Sequence, residues 1–554
     1  MAIYGIDLGT TYCAMAYVAE GRSAVVPLEG SGRTLASVVL YEQTAHGARV
    51  LVGKSARDAY RRLVGDADEA PSHLTLVRGA KNAIGVRTRV PGGPPWRVGS
   101  RELWATDVSA TILRALAEHV RRVPGAPPMD GVVIAHPQRF RTREKQATAQ
   151  AAAMAGLVVR GMVTEPDAAA WAYGLHDDLD SAGVQGGVKT FLVFDFGGGT
   201  LDVTVMQRVR DANNGVSIRA LDSYGVQLGG LAIDEQVRDR LFEKYCEISG
   251  YEGLTLAQVN EGSREKLLET AEQLKIELNQ DLRAEVSPWK RSRRKWIRME
   301  SSEIVGEDKQ IEVDLGELSR WISGDIDRAV DCADQALARA QLQWGEIDRV
   351  LLTGGSSQLY AVQVRMQERA PGRVQVVFDD MDHPLNPQTI VATGAAMYGA
   401  SLAGDRKALP MEIRGVLPDA FSVAAHVPDP TAPNGKRRVL RTLVPAQTPT
   451  PFTGRETFRL SGGPNVPVTL YEGRTEAEAT LAGSYVFRFD QPLADGTLVE
   501  VALDVASNGL LTLRVRDGKT GEVREATLTE AGLYSDQELA DRREWLRGVT
   551  LEVA

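Results

Sequence analysis

Two glycine-rich turns carry the residues best suited to chemistry in this sequence. One runs from Gly5 to Tyr12 (GIDLGTTY) and the other from Phe194 to Asp202 (FDFGGGTLD). In both, an aspartate follows an apolar run, and glycine and threonine come next. Glycine lets backbone N–H groups approach phosphate oxygens, threonine adds hydroxyl donors, and the aspartate faces the accompanying cation. The two turns therefore predict duplicated lobes that grip one nucleotide and its Mg²⁺.

A third turn, Thr353 to Ser357 (TGGSS), also follows an apolar run. It suits a contact with the nucleoside or its α-phosphate. The segment Val52 to Ser55 (VGKS) resembles the end of a P-loop, but the glycine that this motif needs five residues earlier is Ala48. We therefore expect Gly53 to Ser55 to form a surface turn.

Alternating strands and helices must position these turns over the first 400 residues. Short apolar runs that end in glycine, proline or a small polar residue predict strands, and apolar residues at helical spacing predict helices between them. The helix predicted over Ser263 to Asn279 places Glu272, Lys275 and Asn279 on one polar stripe. This alternation predicts α/β layers.

The pattern changes after Gly404, where proline becomes frequent and no long helical period follows until about Leu528. Alternating apolar runs, with the turn signal Ser507-Asn508-Gly509 between the last two, predict a small all-β sandwich. The capping-box pattern of Ser535 and Glu538 predicts a short helix up to Arg547, and Val549 to Val553 reads as a strand.

Length and composition set limits on the class of protein. The chain has 554 residues, 43% of them hydrophobic and 25% charged, with a net charge of −9. It is long enough for three or four domains or subdomains, and no apolar run approaches the roughly 20 residues of a spanning helix. Without a recognisable signal peptide, and with three scattered cysteines, a cytoplasmic protein is expected. The acidic balance disfavours nucleic acid as a partner, and we expect no membrane partner.

Further motifs make the resemblance specific: Thr164 to Ala170 (TEPDAAA), Leu228-Gly229-Gly230 and Tyr471-Glu472-Gly473. With the two phosphate turns, they resemble the seventy-kilodalton heat-shock chaperone (heat shock protein 70) family. The resemblance implies a two-lobed, actin-like (ribonuclease-H-like) ATPase domain at residues 1–403 and a linker at 404–416. It also implies a β-sandwich substrate-binding domain at 417–530 and a short C-terminal helix or tail at 531–554, a short form without most of the family's helical lid.

The resemblance also assigns roles to residues. The implied catalytic residues are Asp7, Lys81, Glu165, Asp195 and Thr200. The implied acids around the metal, largely acting through water, are Asp7, Glu165, Asp195 and Asp202, the last near a monovalent cation. The implied nucleotide contacts are Gly9, Thr10, Thr11, Tyr12, Gly197, Gly198, Gly199, Thr200, Gly229, Gly230, Glu272, Lys275, Asn279, Gly354, Gly355 and Ser356. Pro137 and Lys145 match the switch that passes a signal between the domains.

The implied activity is slow hydrolysis of ATP to ADP and phosphate, with Mg²⁺ and K⁺ as cofactors. The implied partners are unfolded or extended polypeptide clients, a J-domain co-chaperone and a nucleotide exchange factor. Two features depart from the family pattern: Gln358 replaces an arginine that stacks on adenine, and the linker keeps only scattered apolar residues. Three alternatives stay open, namely a nucleotide-binding adaptor with little turnover, a filament-forming actin-like ATPase and a small-molecule kinase.

Overall fold

A computed structural model gives the fold of the chain. It describes residues 2–553 except 30–31, 46, 66, 68, 91–92, 177–187, 211–215, 280–293, 300–308, 376–382, 384, 406–411, 414–415, 418, 432–434, 447, 461–464, 474, 507–510 and 528–533. Within the described residues, no helix is both long and apolar enough to cross a bilayer. The predicted hairpin turn at Ser507 to Gly509 lies outside the described residues.

The first lobe occupies the N-terminal part of the chain. Its strands are β1 (Ala2–Asp7), β2 (Tyr12–Ala19), β3 (Arg22–Val25), β4 (Thr34–Ala36), β5 (Val38–Thr44), β6 (Gly47–Val52), β7 (Leu74–Arg78), β8 (Trp96–Val98), β9 (Arg101–Leu103), β10 (Met129–His136) and β11 (Val159–Thr164). Its helices are α1 (Lys54–Val64), α2 (Ala105–Arg122), α3 (Thr142–Met154) and α4 (Glu165–His176). The main sheet has the order β11-β10-β1-β2-β3, with β4 also paired to β2.

The second lobe repeats this plan. Its strands are β12 (Val188–Phe196), β13 (Leu201–Arg210), β14 (Val216–Val226), β15 (Arg294–Met299), β16 (Lys309–Asp314), β17 (Arg349–Thr353) and β18 (Glu412–Ile413). Its helices are α5 (Gly230–Ser249), α6 (Glu261–Asn279), α7 (Leu315–Trp321), α8 (Ser323–Arg339) and α9 (Tyr360–Arg369). The helix α10 (Ile390–Leu402) returns to the first lobe, where Ala392 and Ala396 pack on Ala14 and Ala16 of β2. The order β17-β12-β13-β14-β18 places β12 between a parallel and an antiparallel neighbour, as β1 lies between β10 and β2.

The third body is a β-sandwich. Its strands are β19 (Val416–Leu417), β20 (Ala420–Pro428), β21 (Lys436–Val444), β22 (Thr448–Pro449), β23 (Phe452–Arg459), β24 (Val466–Gly473), β25 (Thr480–Phe487), β26 (Leu498–Val505), β27 (Leu511–Asp517) and β28 (Val523–Thr527). Two four-stranded sheets, β21-β20-β24-β25 and β23-β26-β27-β28, enclose one apolar core that includes Phe421, Leu470 and Leu503. The predicted fold class, a two-lobed α/β ATPase domain followed by a small sandwich, is confirmed.

Two connections join the sandwich to the ATPase lobes. In the linker, Glu412 and Ile413 form β18, which pairs in parallel with Ser217 and Ile218 of β14. The polar character of the linker gave little reason to expect this strand. Backbone groups make the ladder, however, so a two-residue pairing needs no apolar run.

The sandwich also rests on α3 of the first lobe. Glu472, which is 4% exposed, accepts a hydrogen bond from the backbone N–H of Thr142 at 2.8 Å. Arg141 donates to the Thr480 hydroxyl at 2.7 Å and lies 3.5 Å from the Asp419 carboxylate. This interface is polar and charge-paired, which is typical of domain contacts that can separate.

The residues after the sandwich return to the first lobe. Ser535 caps α11 (Asp536–Gly548) by accepting a hydrogen bond from the Glu538 N–H, as its capping box predicts, and β29 (Thr550–Val553) follows. β29 pairs in parallel with β6 and extends the small sheet to the order β29-β6-β5-β7. Leu546 and Val549 are buried in the first-lobe core. We call Tyr534 to Val553 the C-terminal strap.

A buried carboxylate anchors the strap. Asp107, 2% exposed near the start of α2, accepts hydrogen bonds from the Tyr534 hydroxyl at 2.6 Å and from Arg542 at 2.5 Å. At the far end, Arg49 of β6 holds the Glu552 carboxylate with two hydrogen bonds, at 2.7 and 2.8 Å. The strap is thus a structural part of the first lobe.

Candidate active site

Both phosphate turns open into one cleft between the two lobes, with an empty volume of about 900 Å³ including its open mouth. The predicted residues that line it are Asp7, Gly9, Thr10, Thr11, Tyr12, Lys81, Glu165, Asp195, Gly197, Gly198, Gly199, Thr200, Gly230, Glu272, Lys275, Gly354, Gly355 and Ser356. The lining also includes Ile276, which the sequence suggested could pack against the base, and adds Pro387, Gln388 and Val391, which the sequence did not indicate. Residues from distant parts of the chain therefore converge as the resemblance implied.

The strand order explains why the two aspartates face the same cleft. Asp7 ends β1, where β1 pairs in parallel with β10 and antiparallel with β2. Asp195 is the second-last residue of β12, which likewise pairs in parallel with one strand, β17, and antiparallel with another, β13. Because side chains at the carboxyl ends of parallel strands share one edge of a sheet, each lobe presents its acid to the cleft.

Glycine is required where the two turns meet. A Cβ on Gly198 would lie 1.6 Å from the Thr11 hydroxyl, so any side chain there would push the turns apart. A Cβ on Gly229 would lie 2.4 Å from the Gly198 carbonyl carbon. Gly229 thus does not line the cleft but packs behind the second turn, and the Gly230 N–H donates to the Gly197 carbonyl at 3.0 Å.

Buried acids and one lysine occupy the inner end of the cleft. Lys81 donates to Glu165 Oε1 at 2.6 Å, and both side chains are about 90% buried, with 10% and 8% exposure. Burial opposes the charge on Lys81, but Glu165 and Asp7 outweigh it and raise the pKa of the ammonium. Burial and then the charge of Glu165 raise the pKa of Asp7 to about 7. The same causes raise the pKa of Asp195.

This charge pattern fits a divalent cation. The charge of Glu165 destabilises the ionised forms of Asp7 and Asp195, and a cation among the three acids would relieve this repulsion. No three acidic, histidine or cysteine side chains come close enough to ligate an ion directly within the part of the chain that the structure describes. The acids therefore suit Mg²⁺, which usually keeps several of its waters.

An ion network that the sequence did not predict joins the two lobes beside the cleft. Glu272 of α6 receives hydrogen bonds from Tyr12 at 2.7 Å and from Arg57 of α1 at 2.5 Å. Burial opposes the Glu272 charge, but Arg57 outweighs it and lowers the pKa of this carboxyl. Because Arg57 and Tyr12 belong to the first lobe and Glu272 to the second, this network bridges the two lobes.

Two other predicted residues of α6 have structural partners. Lys275 pairs with the buried Asp234 of α5 at 2.6 Å. Asn279 does not line the cleft; its Oδ1 accepts from the Tyr360 N–H and its Nδ2 donates to the Lys275 carbonyl, both at 2.7 Å. Lys275 thus stays at the cleft wall, whereas Asn279 ties α6 to α9.

Asp202 and the predicted switch residues lie outside the cleft lining. Asp202 of β13 lies directly opposite Asp195 of β12 in the antiparallel ladder. Pro137 follows β10, and its carbonyl lies 2.8 Å from His136 Nδ1. Lys145 is partly buried on α3, where loss of solvent lowers the pKa of its ammonium, although the charges of Glu472 and Asp419 act in the opposite direction. It therefore faces the sandwich.

The fold and the site together define a two-lobed nucleotide-binding ATPase with an attached β-sandwich. A family profile described as Hsp70 protein matches residues 3–544. The chain therefore belongs to the Hsp70 family, whose members are ATPases and ATP-dependent chaperones.

Two curated relatives support the same placement. The chain is similar to Chaperone protein DnaK of Prochlorococcus marinus (strain MIT 9515), with 28% identity over 97% of this chain and 79% of the relative. It is also similar to Chaperone protein DnaK 1 of Synechococcus sp., with 29% identity over 97% of this chain and 67% of the relative. The family match covers the sandwich as well as the lobes, which disfavours the filament and small-molecule kinase alternatives.

Proposed function

We propose that this chain hydrolyses ATP in the cleft between its lobes and couples that reaction to the binding of extended polypeptide by its sandwich. The arrangement of Lys81, Glu165, Asp7 and Asp195 opposite two glycine turns carries the proposal. A buried charged lysine among acids, next to backbone donors, suits attack of water on a terminal phosphate.

The position of each residue in the cleft supports a particular role in ATP hydrolysis. The N–H groups of Gly198 and Gly199 would bind the phosphate oxygens, and the side chains of Thr10 and Thr200 line the same cleft. The Gly197 N–H is held by the Thr200 carbonyl at 3.0 Å, and the Thr10 hydroxyl donates to Asn82 at 3.3 Å. Lys81, held by Glu165 at 2.6 Å, keeps its charge and would orient the attacking water. Mg²⁺, when bound among these acids, would supply positive charge against the charge that develops on the transferred phosphate.

The base of the nucleotide would meet mostly neutral groups. Ile276 and the backbone of Gly354 and Gly355 line that end of the cleft, and Gln358 stands in the turn beyond them. Without an arginine at position 358 there is no guanidinium from that position to stack on adenine. We propose that the base contributes little and that the phosphates supply most of the affinity.

The experiment that tests the site is a comparison of two lysine variants. Lys81→Ala is expected to reduce single-turnover ATP hydrolysis at least hundredfold, while binding of a fluorescent ADP analogue stays within a few-fold of wild type. Lys54→Ala is the matched control, because Lys54 lies at the exposed start of α1, outside the cleft. Normal hydrolysis by Lys81→Ala would show that the catalytic assignment is wrong. Absence of hydrolysis in the wild type would favour the adaptor with little turnover.

The domain limits and the other partners are proposals that follow from the family. We propose an ATPase domain at 1–403 that the C-terminal strap completes, a linker at 404–416 and a substrate-binding domain at 417–530, with a cytoplasmic location. J-domain and exchange-factor co-chaperones are proposed partners. Stimulation of the ATPase by a J-domain protein together with an apolar peptide would support them, and an unchanged rate would contradict the J-domain partner.

A further inference from the structure

Asp202 is a buried carboxylate whose charge needs a counter-ion. It is 4% exposed on β13, and its Oδ2 has no hydrogen-bond partner. Its register partner on β12 is Asp195, itself an acid of the cleft. Burying a charged group is costly unless a partner of opposite charge lies beside it. The ionised form of Asp202 therefore needs a neighbouring cation.

The cation that the structure places beside Asp202 comes from the chain itself. Arg139 Nε lies 3.6 Å from Asp202 Oδ1. Arg139 follows β10 in the tight turn that the Phe140 N–H closes on the Pro137 carbonyl at 3.1 Å. Phe140 packs inward on His136, with parallel rings 6.1 Å apart. The turn thus buries Phe140 in the first lobe and lets the preceding side chain, Arg139, extend towards the second lobe.

The local backbone leaves room for the carboxylate. Gly225 of β14 faces Asp202 across the sheet, and a Cβ there would come within 2.5 Å of Asp202 Oδ1. The other charges that act on Asp202 include Asp195, Glu165 and Lys81, and Lys81 is already bound to Glu165. Among the described residues that act on Asp202, Arg139 is thus the cation not engaged with another acid of the cleft.

We propose that Arg139 is the built-in counter-ion of Asp202 and takes the place of the monovalent cation expected there. The inference rests on the proposed ATPase function and assigns a positioning residue to that site. A guanidinium stays charged at every physiological pH, and a second cation beside it would be repelled. The ion pair also joins the turn after Pro137 in the first lobe to the strand that follows Thr200 in the second.

The consequence is that nucleotide binding should not distinguish K⁺ from an inert cation. We expect the affinity of the wild type for a fluorescent ADP analogue with Mg²⁺ to differ less than twofold between potassium chloride and choline chloride at equal ionic strength. Arg139→Ala frees the carboxylate, so its affinity should be at least fivefold higher in potassium than in choline. Arg139→Lys, which keeps the charge, should behave like the wild type.

Two further measurements separate this role from a merely structural one. Thallium-205 NMR on the nucleotide-free chain reads binding of a K⁺ substitute directly, and we expect a bound signal only for Arg139→Ala. Arg160→Ala is the matched control, since Arg160 pairs with Asp130 at 3.1 Å on the surface of the same lobe. It should remain insensitive to the choice of salt.

The outcomes are distinct. A wild type that needs K⁺ or binds thallium at this site overturns the proposal, and so does an Arg139→Ala variant that remains indifferent to K⁺ and binds no thallium. Failure to bind the ADP analogue in any salt would instead contradict the proposed nucleotide function. In that case the thallium signal still decides the role of Arg139, because it needs no nucleotide.

Discussion

The strap anchor allows a quantitative prediction. Arg542→Met keeps the apolar stem of the side chain but removes the charge that lies 2.5 Å from Asp107 Oδ2. Asp107 is 2% exposed and Arg542 is 14% exposed, so solvent cannot replace the lost partner well. Removing one member of a buried ion pair costs about 3–5 kcal/mol, because the remaining charge stays buried.

Two features of the site limit the loss of stability that we expect from Arg542→Met. Asp107 keeps the hydrogen bonds from the Tyr534 hydroxyl and from the Trp104 N–H at 2.7 Å. Arg101 also lies near Asp107 and Arg542, and burial and then the Arg542 charge lower the pKa of Arg101. After the substitution, Arg101 would partly compensate for the missing charge. We therefore expect a loss near the lower limit, about 3 kcal/mol.

Hydrogen exchange measured by mass spectrometry is the suitable assay, since it reports local opening of one element within a large chain. Arg542→Met should lower the opening free energy of β29 and of the adjoining β6 by about 3 kcal/mol, and leave the sandwich core unchanged. Arg543→Met, an exposed neighbour on α11, is the control and should change little.

A double substitution tests the cause. Asp107→Asn combined with Arg542→Met should be less destabilising than the sum of the single changes, because no buried charge then remains unpaired. A loss below 1 kcal/mol for Arg542→Met alone would refute the idea that this ion pair holds the strap on the first lobe.

Two further predictions concern the cleft and the domain contact. Because the pKa of Asp7 is raised to about 7, a proton competes with Mg²⁺ below that pH. The Mg²⁺ affinity of the nucleotide-free chain should therefore fall up to about tenfold per unit as the pH drops below 7, and titration calorimetry should find a weaker pH dependence in Asp7→Asn. Glu472→Ala removes the acceptor of the Thr142 N–H and the charge facing Lys145. This substitution should shift the sandwich away from α3. A fall in energy transfer between a dye on the sandwich and a dye on the first lobe would detect the shift. Unchanged transfer would show that the other contacts are enough to hold the sandwich on α3.

The phosphate turns were predictable because their signal is local. An apolar strand, an aspartate and a glycine run occupy fewer than ten consecutive residues, and the fold repeats this unit at Asp7 and Asp195. The sandwich strands were predictable for the same reason, since alternation of apolar residues is read within each strand.

Other contacts in the site arise only in three dimensions. Arg57 reaches Glu272 across 215 positions of sequence, and Asp234 meets Lys275 between two helices. Neither arginine nor aspartate belongs to a motif in its own helix, so composition and spacing gave no signal. The pairing of β29 could not be predicted for the same reason, because its four residues pair with a strand about 500 positions earlier in the sequence. Arg139 was also missed, since nothing in its turn indicates which acid it would face.

The strap gives the first lobe a particular order of assembly. Arg49 and Glu552, which meet at the edge of the sheet, are 503 positions apart. At about 5–20 residues per second, a ribosome needs roughly 25–100 s to reach β29 after making β6. During that time the edge of β6 lacks its parallel neighbour and Asp107 lacks its partners from the strap. The domain translated first is thus completed last, and β6 is the nascent edge that needs protection until then.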